Sequence, residues 1–95
     1  MPMGYAIYEN LKFSNGRIRA TNFTTYMLPT AMDLPRIILE PIRGYETLGP
    51  MGVKGAGELS LVSITPAIVN AIADATNRNL RTIPVKMESC IETAW

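Results

Sequence analysis

Five of the chain's seven glycines, with Pro50, fall between positions 44 and 57. Such a stretch is a loop, and one whose backbone can come close to another group, because glycine has no Cβ. Regular structure is therefore expected on either side of it. After the loop, Thr65 suits a helix N-cap and Pro66 the first helical position. Ile68, Ala71, Ile72 and Ala75 then recur at the i, i+3, i+4, i+7 spacing, with Asn70, Asp74, Asn77 and Arg78 on the opposite side. The alanines of this helix would permit close packing against a neighbour.

Before the loop, Arg36-Ile37-Ile38-Leu39-Glu40 is the best strand candidate, rich in β-branched residues and closed off by Pro41. Pro29 and Pro35 bias their predecessors away from helix, so the stretch between them reads as extended chain with turns. Asn15-Gly16 marks a tight turn, followed by a weak alternation that suggests an extended piece from Arg17 to Thr24. Residues 3–12 are expected to form a short helix carrying Tyr5, Ala6, Ile7, Tyr8 and Leu11. An extended piece, Leu80–Val85, and a helical turn, Glu88–Ala94, close the sequence. The mixture favours an α+β piece, short strands with a packed amphipathic helix. It lacks the regular β-α-β alternation and phosphate fingerprint of a nucleotide-binding domain.

Composition bounds what this piece can do alone. A chain of 95 residues buries only about 60–65% of its unfolded surface, so its own core is marginal. It is 47% hydrophobic and 18% charged, against a usual charged fraction of about 25%. Some apolar surface is thus expected to be covered by other polypeptide. A net charge of +1 with scattered basic residues gives no footprint for nucleic acid or an anionic membrane. No apolar run approaches the length of a membrane span. No secretory signal is read at Met1-Pro2-Met3-Gly4-Tyr5, and Cys90 is the only cysteine, which fits a cytoplasmic setting. Without histidine, the chain lacks the usual zinc or iron–sulfur ligands, and no metal-ligating residue is assigned. Nothing is present to activate Cys90 as a nucleophile, so a small buried hydrophobe is its expected role. The methionines read as core filler, Tyr5, Tyr8 and Glu9 as packing residues, and Asp33 as a turn-stabilising side chain.

The chemistry-bearing stretch is Gly49-Pro50-Met51-Gly52-Val53-Lys54-Gly55-Ala56-Gly57-Glu58. Gly55 and Gly57 flank Ala56, so successive amides can face one concave site and bind an anion or oxo group. Glu58 follows at once beside apolar Leu59, Leu61 and Val62, a setting that can tune a carboxylate as a base. A carboxylate after glycine equally suits the start of a helix. Lys54 either pairs with Glu58 or points to solvent. The order of residues does not match a phosphate loop.

Five blocks in order carry a resemblance. They are Gly4-Tyr5-Ala6 with Glu9; Tyr26-x-Leu28-Pro29-Thr30-Ala31-x-Asp33-x-Pro35; Gly49-Pro50 with Gly52-x-Lys54-Gly55-x-Gly57-Glu58; Pro66-Ala67-Ile68-x-Asn70-Ala71-Ile72-x-Asp74-Ala75-Thr76; and Ile83-Pro84. Together they resemble the C-terminal part of the molybdopterin-binding large subunit of the xanthine dehydrogenase/aldehyde oxidase family. The resemblance implies a C-terminal fragment, over residues 1–95, of a molybdenum-cofactor-binding domain. It implies hydroxylation of a heterocycle or aldehyde with oxygen from water, with Glu58 as general base. Gly55, Ala56 and Gly57 would then lie against a molybdopterin-type molybdenum cofactor shared with other polypeptide. The implied partners are the remainder of the large subunit and FAD and iron–sulfur subunits. Asn77 stands where this family often has glycine, and asparagine also tolerates a left-handed helix cap. Large subunits of this kind run to many hundreds of residues, so the isolated chain is expected to be inactive. The alternative is a non-catalytic truncated module that self-associates as a homo-oligomer or only scaffolds a partner subunit.

Overall fold

A computed structural model describes residues 1–91. Its first element is a π-helical turn, Gly4–Tyr8. The wide turn is closed by the Glu9 amide, which donates to the Gly4 carbonyl at 2.8 Å. The expected helix over residues 3–12 therefore stops at Tyr8, because Glu9 turns to extended backbone.

A short hairpin follows, with β1 (Phe13–Ser14) antiparallel to β2 (Arg17–Ile18) in the register Phe13 opposite Ile18 and Ser14 opposite Arg17. Asn15 and Gly16 both take positive φ, at 51° and 72°, the conformation a two-residue hairpin loop demands. The extended segment expected to continue to Thr24 ends instead at an Asx turn. The Asn22 side-chain oxygen accepts the Thr24 and Thr25 amides, both at 3.1 Å, offering the backbone an alternative to a ladder. A second turn spans Ala31–Asp33, where the Asp33 carboxylate accepts from the Thr30 amide at 2.7 Å and the Thr30 hydroxyl at 2.8 Å. These bonds, the amide's first, hold the Asp33 carboxyl below its usual range.

Arg36–Glu40 corrects the sequence reading most plainly. It forms no strand and joins no ladder among the described residues, where the sheet has only two strands. Leu80–Val85 likewise forms no strand.

The long helix α1 (Leu61–Thr76) starts a turn earlier than expected, so Thr65 is not its cap and Pro66 lies inside it. As the sixth residue of α1, Pro66 has no amide to offer the Val62 carbonyl, so one bond of the helical ladder is missing at its second turn. Thr65 makes a different bond: its hydroxyl donates to the Pro2 carbonyl at 2.9 Å. The half-buried stripe is Leu61, Thr65, Ile68, Val69, Ile72, Ala73 and Thr76, whereas Ala71 and Ala75 are exposed. The apolar face is thus rotated from the expected one and turned toward the π-helical turn. At the far end Asn77 is left-handed, at φ 52°. The Arg78 amide reaches the Ala73 carbonyl at 3.0 Å and the Asn77 amide reaches Asp74 at 3.3 Å, the Schellman pattern. The last element described is α2 (Met87–Ile91); the remainder of the expected Glu88–Ala94 turn lies outside the described residues.

These elements give an α+β arrangement that does not enclose a core. Ala6 is the single buried hydrophobic residue described, and Met1, Met27, Met32, Met51 and Met87 are exposed rather than core filler. The radius of gyration is 17.5 Å, where a compact chain of this length would have about 12 Å. No described helix is long and apolar enough to cross a membrane.

Candidate functional site

The π-helical turn is where the distant parts of the chain meet. The Val85 amide donates to the Ala6 carbonyl at 2.7 Å, which brings the segment after α1 back to the first block. Thr65 ties α1 to Pro2. The Tyr26 hydroxyl donates to the Glu9 carboxylate at 2.6 Å across 17 positions of sequence. Gly4 is buried beneath that carboxylate, and a Cβ there would overlap it. The hydrogen bond to Glu9, then burial and the negative charge of Glu9, holds the Tyr26 phenol above its usual range. Glu9 and Tyr26 therefore form one structural unit, a pairing missed from sequence. Both stand in resembling blocks, but nothing in their spacing shows that they touch.

The glycine-rich loop lies apart from this junction and divides into two halves. Its first half is packed against itself. The Tyr45 ring lies 2.6 Å from where a Cβ of Gly52 would stand, and Gly52 has φ 75°. The Val53 carbonyl oxygen lies 2.6 Å from the corresponding point of Gly49, so neither glycine has room for a side chain. Pro50–Gly52 forms a 3₁₀ turn between them, with Met51 also at positive φ. Lys54 folds back so that its Nζ lies 2.8 Å from the point a Cβ of Gly44 would occupy. Its side chain is exposed, the second of the two roles the sequence left open.

The second half is open. Around Gly55 and Gly57 no atom stands within 4 Å of the place a Cβ would take. Gly57 to Ser60 then form turns leading into α1, with the Leu61 amide donating to the Glu58 carbonyl at 2.9 Å. Glu58 sits at this junction with its side chain exposed, as are Ala56, Leu59 and Val62. The apolar enclosure expected around the carboxylate is not supplied by these described residues. Main chain without side chains, ending in an accessible carboxylate, fits approach to a bulky cofactor. No cluster of three or more His, Cys, Asp or Glu side chains that could hold a metal ion occurs among the described residues.

The chain is similar to a part of several known redox enzyme subunits. It is 34% identical over 92 residues to a probable xanthine dehydrogenase subunit of Bacillus subtilis, covering 97% of this chain and 12% of that protein. It is 34% identical over 74 residues to the nicotine 6-hydroxylase large subunit of Paenarthrobacter nicotinovorans, covering 77% and 9%. It is 30% identical over 97 residues to the aldehyde oxidoreductase molybdenum-binding subunit PaoC of Escherichia coli, covering 97% and 13%. Over most of its own length, the chain is homologous to molybdenum-binding subunits of the xanthine dehydrogenase and aldehyde oxidoreductase family. It spans about a tenth of the length of these curated relatives. No family model matches the chain, and no solved structure matches it.

Proposed function

We propose that this chain is the C-terminal part of a molybdenum hydroxylase large subunit and that Glu58 is the general base of its active site. The observation that carries the reading is the pairing of bare main chain at Gly55 and Gly57 with the exposed carboxylate that follows, in a segment homologous to molybdenum-binding subunits. Ala56, between the glycines, has the smallest side chain that still fixes the backbone, and with them would line the cofactor. A molybdopterin-type molybdenum cofactor, when bound, supplies activation of water-derived oxygen and accepts two electrons from the substrate carbon. The Glu58 carboxylate takes the proton released as that oxygen attacks an electron-poor carbon of a heterocycle or aldehyde. General-base catalysis of this kind is worth roughly 10²–10⁴-fold.

The chain's remaining residues position this group. Tyr45 lies over Gly52 in the first half of the loop, and α1 anchors its far end against Pro2 through Thr65. Exposure of Glu58 requires that the walls of the site come from the rest of the large subunit. FAD and iron–sulfur subunits would carry the electrons onward, in an assembly we place in the cytoplasm. The native protein or assembly containing this chain is therefore expected to hold molybdenum in proportion to the chain. A purified native assembly free of molybdenum would overturn the assignment.

A second reading is favoured by the same openness. A chain with so little core can act as a non-catalytic module that self-associates or scaffolds a partner subunit. It gains if the native chain is an ordered, metal-free homo-oligomer.

A further inference from the structure

The segment between Pro35 and Pro41 has the sequence of a strand, yet joins no ladder among the described residues. From Leu34 to Thr47 no main-chain group bonds another main-chain group among the described residues. Ile37, Ile38 and Leu39 are exposed by 65%, 73% and 86%. In extended chain, Ile37 and Leu39 share one face and Ile38 takes the other. Both faces are therefore apolar, the signature of a strand inside a sheet that is covered on both sides.

The surface area of the chain says how much cover is missing. It exposes 8694 Å², where a compact monomer of 10.5 kDa would expose about 5,400 Å². The surplus of about 3,300 Å² far exceeds the ~800 Å² that each partner contributes to an interface of standard size. A second copy of this chain is a poor occupant. Its β1–β2 hairpin has strands of two residues, too short to pair with five. Two copies of Arg36–Glu40 paired with each other would make a ribbon whose apolar faces both stay in water.

We propose that residues 36–40 are an added strand, pairing main chain to main chain with the free edge of a larger, two-sidedly covered sheet in the rest of the molybdenum-binding subunit. The occupant's identity rests on the reading of the preceding subsection; the pairing rests on this segment alone. Arg36 and Glu40 mark its ends, and the prolines at 35 and 41, which lack amide hydrogens, limit the ladder to the residues between them.

The test is amide hydrogen exchange of residues 36–40 in the native protein or assembly that contains the chain, compared with the chain alone. The expected result is exchange slowed about a hundredfold or more in the assembly and unprotected in the free chain. Ile37→Pro and Ile38→Pro supply a second readout. Successive amides point to opposite sides of a strand, so pairing along one edge makes one proline disruptive to assembly and the other tolerated. Disruption by both, or by neither, overturns pairing along a single free edge. Equal exchange in assembly and free chain overturns the proposal, as does isolation of the native chain as an unprotected monomer. Protection that appears in a homo-oligomer of the chain alone overturns it too. Molybdenum content, measured on the same sample, separates the two ideas. Protection without molybdenum removes the enzymatic reading and keeps the added strand, while fast exchange in a molybdenum-loaded assembly does the reverse.

Discussion

Tyr26 and Glu9 show how one hydrogen bond fixes distant sequence. The phenol's proton is held by the Glu9 carboxylate at 2.6 Å, and its ionisation is raised above the ordinary value of 10.0. A raised value in the folded chain means that this bond stabilises the fold fully below the ordinary value and is lost as pH rises through the raised one. Titration of phenolate absorbance should thus show a late component from Tyr26, and Tyr26→Phe should abolish it. Gly4→Ala should act on the same signal. A methyl group there displaces the Glu9 carboxylate, so Tyr26 should return toward ordinary ionisation although it is not itself altered. Asp33 behaves oppositely: its value is lowered, so its contribution is present above the ordinary carboxylate range and lost as pH falls through the lowered value. Asp33→Asn should remove the acid-side loss of the Thr30–Asp33 turn, read by the exchange rate of the Thr30 amide at low pH.

At the scale of elements, α1 offers the clearest test. Asn77 closes it in a left-handed conformation at φ 52°. Asn77→Gly should leave helix stability unchanged or slightly improved, and Asn77→Ala should reduce it by about 1 kcal/mol, followed by circular dichroism during thermal unfolding. Much of this level was legible in the sequence. The Asn15-Gly16 hairpin, the Asp33 turn, the long helix and its asparagine cap all follow from local preferences that short-range geometry enforces. What was not legible depended on remote partners. The helix starts at Leu61 rather than beside Thr65 because the turns from Gly57 to Ser60 deliver the chain already coiled, and Thr65 is taken by Pro2. The strand signal of Arg36–Glu40 was a statement about burial and neighbours, and these 91 described residues supply neither. At the site, the glycines reveal loop and close approach from sequence. Only the structure separates those that hold the loop, at 49 and 52, from those at 55 and 57 that face open space.

The whole molecule is under-packed: one buried apolar residue is described, and the glycine loop ends in an uncovered carboxylate. Homology over most of the chain to about a tenth of the relatives' length gives this openness a physical sense. On the proposed reading, the surfaces left bare are those on which the rest of a large subunit would rest, and Glu58 would be one half of a site whose other half holds the cofactor. Substitution of Glu58 in the assembled, molybdenum-loaded enzyme tests this most directly. Glu58→Gln keeps the shape of the side chain and removes its basicity, so turnover should fall by roughly 10²–10⁴-fold with molybdenum content and assembly mass unchanged. Turnover undiminished at equal molybdenum loading would contradict the account.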